Sequence, residues 1–121
     1  MSTSKHELIV EKYFELLNNH MNDLENGILN DKFSISDFAR LLNIHSVNLS
    51  KIIKKVTSNT PCHFYKEALI KTSKKMLLNN NLTVSEIAEN LTFDKSNFSN
   101  FFKNSVGQTP LQFKKKFLDV N

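Results

Sequence analysis

Two stretches of this 121-residue chain space short hydrogen-bonding side chains so that they could grip or read a partner: SVNLSKIIKK at 46–55 and KSNFSNFFKN at 95–104. Wound as helices, each has an oily side and a polar side. In the first stretch Leu49, Ile52 and Ile53 recur at i, i+3 and i+4, leaving Ser46, Val47, Asn48, Ser50, Lys51, Lys54 and Lys55 outward. In the second, Phe98, Phe101 and Phe102 take the inner side, and Lys95, Ser96, Asn97, Ser99, Asn100, Lys103 and Asn104 the outer one. These outward types suit a polyanion with readable edges. Lysine holds phosphates by counterion release and carries no sequence information. An asparagine amide donates and accepts at adenine's major-groove edge, a bidentate pair worth ~1–3 kcal/mol of discrimination. Serine reaches a base or a phosphate at short range, and a valine methyl can sit on thymine's methyl.

Other chemistry finds no support. His6, His20, His45 and His63 have no metal-ligand spacing among themselves or with Cys62. Cys62 is the single cysteine; it has no spaced catalytic partner, permits no internal disulfide, and is expected to pack. Gly27 and Gly107 are the only glycines, so no glycine-rich phosphate loop exists. No catalytic, metal or cofactor site is expected, and the chain does not read as an enzyme.

Charge supports the polyanion. Residues 1–31 hold two basic and six acidic side chains, a net of −4, within a total of +4. The remainder, 32–121, is therefore +8. A basic body behind an acidic leader suits nucleic acid. The N-terminus lacks a signal peptide's cationic start and apolar run. No segment reaches the ~18 apolar residues of a membrane span, so no membrane partner and a cytoplasmic location are expected.

The elements that must position the two stretches come from an internal repeat. With Ser36 laid on Ser85, ISDFARLLNIHSVNLSKIIKKVTSNTPCHFYK matches VSEIAENLTFDKSNFSNFFKNSVGQTPLQFKK without a gap. Ala39/Ala88, Leu42/Leu91, Asn48/Asn97, Ser50/Ser99, Lys54/Lys103, Thr60/Thr109, Pro61/Pro110 and Phe64/Phe113 are identical pairs. Each copy opens on a capping box, Ser34 to Asp37 and Thr83 to Glu86. Phe38, Ala39 and Leu42, or Ile87, Ala88 and Leu91, give the inward stripe of a first short helix. A break follows, then a second helix with His45 or Asp94 as N-cap. Thr60-Pro61 and Thr109-Pro110 open a third. Two short helices around a tight break, the second with a basic polar face, describe a helix-turn-helix. One such face alone reads better as solvated surface than as a reading head; two at one spacing, both basic, reverse that.

The fold expected is therefore all-α: two helix-turn-helix subdomains joined by a long linker helix. The divisions are an acidic segment at 1–31, a first helix-turn-helix at 32–60, a linker helix at 61–78, and a second helix-turn-helix at 79–121. The linker helix turns Phe64, Ala68, Leu69, Met76 and Leu77 inward. Residues 5–21 form a helix with Leu8, Ile9, Tyr13, Leu16 and Leu17 inward, and Gly27 marks a break. That first helix packs on the first subdomain.

LTVSEIAENL, SNFSNFFKN and GQTPLQF together resemble the AraC/XylS family of bacterial transcription regulators. Ile87, Ala88, Phe93, Ser96, Phe98, Phe102, Lys103, Gly107, Thr109, Pro110 and Phe113 carry the family pattern, within a similarity covering about 34–118. The resemblance implies two recognition helices entering successive major-groove segments of double-stranded DNA, on a monomer. It implies base reading at Val47, Ser50 and Lys51 in the first copy, and around Ser96, Asn97, Ser99 and Asn100 in the second. By family analogy, activation of transcription is expected. RNA polymerase is a second candidate partner, and a sensor domain would precede this segment if it is the C-terminal piece of a longer regulator. The sequence departs from the family at Thr92, where glycine is usual, at Asn100, where arginine is usual, and at Leu69, where arginine is usual. Its second turn is no longer than the first, where the family commonly adds a residue. Neither recognition helix carries arginine, so contacts leaning to A·T pairs and DNA shape are expected. The rival of another class is a degenerate copy serving as a protein-interaction module, or as an antagonist of a related regulator.

Overall fold

The computed structural model describes residues 4–79 and 81–118. These residues are all-α, with seven helices in the described chain: α1 (Lys5–Glu25), α2 (Ile35–Leu41), α3 (Ser46–Thr57), α4 (Pro61–Leu77), α5 (Val84–Asn90), α6 (Lys95–Val106) and α7 (Pro110–Leu118). Two compact units emerge. The first takes the chain up to Met21 and from Phe33 to Ala68; the second takes Asn22–Lys32 and the chain from Leu69 onward.

In the first unit α2 and α3 form the helix-turn-helix, with Phe38, Ala39, Leu49 and Ile53 fully buried. The same core takes Val10, Tyr13 and Leu17 from α1. Tyr13 meets Phe38 edge to face at 5.3 Å, and Phe14 meets Phe64 the same way at 4.9 Å. The Tyr13 hydroxyl donates to the Pro61 carbonyl at 3.3 Å, and burial pushes its pKa up to about 12, so it remains a donor. His20 lies flat on Phe33 at 4.3 Å, accepts from the Phe33 amide, and sits 2.8 Å from the Tyr65 hydroxyl.

The second unit repeats the arrangement with α5 and α6. Ile87, Ala88, Leu91, Phe98 and Phe102 are buried, joined by Leu24, Leu69, Met76, Leu77 and Phe113. Phe102 and Phe113 meet edge to face at 5.4 Å. Leu69, where the family pattern has arginine, is core.

Several expectations shift. The first helix continues past residue 21 to Glu25, and its buried stripe is Val10, Tyr13, Leu17, Met21 and Leu24 rather than one including Leu8, which is 44% exposed. A stripe beginning at Val10 keeps the helical spacing and turns Leu8 to solvent. Cys62 is exposed rather than packed, at the second residue of α4. Ile52 and Phe101 are only half-buried, on the flank of their stripes.

Candidate nucleic-acid interface

The local chemistry that builds each head is the same in both copies. The Ser34 hydroxyl accepts from the Asp37 amide while the Asp37 carboxylate accepts from the Ser34 amide at 2.7 Å. Thr83 and Glu86 make the same reciprocal pair. The Asp37 pKa lies below the usual carboxylate value, chiefly through the Ser34 amide, with the Ser34 hydroxyl and Arg40 adding to it. The turn residues Asn43 and Thr92 both take left-handed backbone, at φ 58° and 63°. The recognition helices end the same way, at Ser58 (φ 67°) and Gly107 (φ 90°). Four residues separate α2 from α3 and α5 from α6, so the turns are equal in length.

On α3, Val47, Asn48, Lys51, Lys54 and Lys55 are exposed, with Ser46 and Ser50 half-buried beside them. Val47 is 62% exposed, far too open for a helix-turn-helix core position. On α6, Lys95, Ser96, Asn97, Asn100 and Lys103 are exposed and Ser99 is half-buried. Every outward residue read from the sequence is thus on a solvent-facing or flanking position of its helix. Lys95 and Ser99 also line a depression of about 490 Å³ with Ser85, Leu111 and Lys114.

The two faces differ where α3 and α6 begin. His45 and Asp94 occupy the N-cap positions in extended backbone, but neither side chain caps its helix. The Asp94 carboxylate instead accepts from the Asn97 side-chain amide at 3.2 Å. That contact uses one of the two amide hydrogens Asn97 would offer a base and puts a negative charge beside it. Asn48 makes no such bond among the described residues. Of the lysine run at 114–116, Lys114 donates to the Leu82 carbonyl, whereas Lys115 and Lys116 stand exposed.

One residue near the second head escaped the sequence reading. Lys32 donates to both the carbonyl and the hydroxyl of Thr92, at 3.1 and 3.0 Å, and lies 3.7 Å from the centre of the Phe93 ring. Its only signal in the sequence was indirect, the presence of threonine where a left-handed turn wants glycine. Among the described residues, no group of three or more His, Cys, Asp or Glu side chains is arranged to hold a metal ion. No described helix is long and apolar enough to cross a membrane.

A family model described as a helix-turn-helix domain matches residues 38–116, which contain both recognition helices. The chain belongs to the AraC-type helix-turn-helix family. Solved structures agree in fold. The C-terminal domain of AraT, a response regulator from Geobacillus stearothermophilus, is 24% identical, with 93% of this chain and 88% of that chain covered and a TM-score of 0.77. The C-terminal domain of the two-component response regulator yesN from Fusobacterium nucleatum is 25% identical, with 86% and 95% covered and a TM-score of 0.72. The DNA-binding domain of the global transcriptional factor AdpA, solved in complex with a target DNA, is 12% identical, with 90% and 97% covered and a TM-score of 0.71. No curated protein matches the sequence. As an AraC-type domain, the chain is of the DNA-binding, transcription-regulating class.

Proposed function

We propose that this chain is a sequence-specific regulator that binds double-stranded DNA through α3 and α6, set in successive major-groove segments. The observation that carries the reading is the repetition of an exposed Asn-, Ser- and Lys-bearing face on two equivalent helices. Lys51, Lys54, Lys55, Lys95 and Lys103 supply phosphate contacts, which position the chain. Val47, Asn48, Ser50 and Lys51 read bases in the first segment, with Ser46 at its edge. Ser96, Asn97, Ser99 and Asn100 read bases in the second. With no arginine on either helix, the reading leans to A·T pairs and to groove shape. Two heads on one chain suit a monomer on an asymmetric site, without the palindrome a dimer needs. Activation through contact with RNA polymerase is the finer proposal, made by analogy with the family.

The test is selection of bound duplexes from a random pool, followed by titration against salt. A selected asymmetric site with a steep salt slope is expected. Absence of binding even at low salt would overturn the reading and favour a helix-turn-helix that contacts protein, an outcome to which the Asp94 charge beside Asn97 is suited.

A further inference from the structure

The turn before α6 holds a side chain ill-suited to its backbone. Thr92 is β-branched, yet its φ is 63°. Left-handed backbone is a real outlier for such a residue. The equivalent Asn43, at φ 58°, belongs to a type that enters this region readily. Strained residues of this kind persist only where surrounding structure over-determines them.

Around Thr92 that structure is the segment 22–32. Lys32 places its ammonium on the Thr92 carbonyl and hydroxyl and over the Phe93 ring. Phe93 in turn stacks on Phe101 of α6 at 5.3 Å and leans on Phe98 at 5.6 Å. A second hold lies one turn away. The Asn90 side-chain amide donates to the Glu25 carbonyl at 3.3 Å, and Gly27, at φ 71°, lets the backbone pass so close that a Cβ would stand 3.0 Å from the Asn90 amide oxygen. Lys75 ties the Glu25 carboxylate from α4 at 3.3 Å. Burial lowers the Lys32 pKa, with Asp31 opposing the shift in part. Among the described residues, no side chain donates to Asn43.

We infer that Lys32 is a positioning residue for the second recognition helix: through Thr92 and Phe93 it sets the angle at which α6 presents Ser96, Asn97 and Asn100, without touching DNA itself. This rests on the reading of α6 as a base-reading helix. Lys32 precedes α2 and lies on neither α5 nor α6, and its ammonium is held by the protein. Removing a lysine that contacts phosphate weakens binding evenly across sequences and lowers the salt slope by about one. Removing a positioning lysine alters base preference in one half of the site and leaves the slope unchanged.

The experiment uses the full chain and the duplex it selects, with single base-pair changes across each half. Lys32→Met is expected to lose about 10-fold in affinity, as for the loss of charge-assisted hydrogen bonds. Its base preference should flatten only in the half read by α6, at an unchanged salt slope. Adding Thr92→Gly should restore most of the loss, because glycine holds the left-handed turn unbraced. Lys32→Gln keeps a donor without the charge, and shows the same pattern more weakly if Lys32→Met fails to fold. An even loss with a shallower slope, an unchanged preference, or no rescue by Thr92→Gly would overturn the inference. Should the wild-type chain select no DNA, the proposed function falls, and the brace is read by amide hydrogen exchange instead. Faster exchange at Phe93–Asn97 in Lys32→Met, with α2 and α3 unchanged, supports it; unchanged exchange there overturns it.

Discussion

The two helix-turn-helix copies share a backbone and differ in what holds it. Both open on a reciprocal hydroxyl–carboxylate cap, turn through a left-handed residue and close on a second one. The first copy fills its core with Leu49 and Ile53, and its left-handed positions are Asn43 and Ser58. The second fills its core with Phe98 and Phe102, and its left-handed positions are Thr92 and Gly107. Each therefore solves one of its two turns easily and the other at a cost. The first has a favourable turn residue and a serine at the helix end. The second has a strained turn residue, braced by Lys32, and a glycine at the helix end. Repetition thus conserves dihedral angles more strictly than side chains, because the chain must reverse at the same places whichever residue is there.

The largest expected break in this symmetry is in the core. Phe102→Ala should cost ~3–5 kcal/mol, against ~2–5 kcal/mol for Ile53→Ala, because the ring leaves the larger void. Urea unfolding followed by circular dichroism measures both, and a cost below ~1 kcal/mol for Phe102→Ala would show that α6 does not depend on its aromatic stripe.

The next effect concerns the outer faces. Lys51→Ala and Asn97→Ala should each weaken the selected site while leaving the fold intact, and Asn97→Ala should lose ~1–3 kcal/mol of base discrimination in its own half. Binding isotherms on singly substituted duplexes check this. If Asn97→Ala leaves base preference unchanged, its amide is committed to Asp94 and the second face reads DNA with other residues.

The helix ends give a smaller, paired effect. Ser58→Gly should stabilise the chain by ~1 kcal/mol, since glycine adopts φ near 67° without strain. Gly107→Ala should destabilise it by about the same amount, for conformational reasons alone, because an added Cβ meets nothing within 4 Å. Thermal melts of the two variants should shift in opposite directions; shifts of one sign would break the equivalence of the two ends.

The caps give an effect of comparable size, together with a pH dependence. Ser34→Ala and Thr83→Ala should each cost ~0.5–2 kcal/mol. Because the folded Asp37 pKa is lowered, its contribution is present above the unfolded carboxylate value near ~pH 4 and is lost as pH falls through the folded value. Stability measured from pH 6 downward should therefore show an acid-induced loss that shrinks in Asp37→Asn. Equal losses in wild type and variant would mean the carboxylate adds nothing beyond its hydrogen bond.

Much of this was legible in the residues because it is local. The stripes of α3 and α6 hold at Leu49, Ile53, Phe98 and Phe102, with Ile52 and Phe101 on their flanks. The capping boxes and the Thr-Pro helix starts depend on neighbours within one turn of chain, and each is where the spacing placed it. So is the outward position of the thirteen polar and valine residues proposed for the interface, since a buried stripe dictates its opposite face. His45 and Asp94 show where local reading fails. Their positions cap the helices, but their side chains do not; the Asp94 carboxylate takes the Asn97 side-chain amide instead of a backbone amide. The inward face of α1 also differs from the spacing at Leu8, since Leu, Ile and Val near a helix start allow more than one stripe.

By itself, the sequence determined that one helix-turn-helix unit occurs twice, where the helices of each copy start, and which side of α3 and α6 is polar. Those features follow from propensity, capping and period, which act over a few residues. Only the tertiary structure decided that segment 22–32 belongs with the second unit and that Lys32 braces Thr92 from sixty residues away. No pattern encodes such contacts, because a lysine's long stem lets it serve solvent, phosphate or a distant carbonyl equally, and the choice falls to what folding brings within reach.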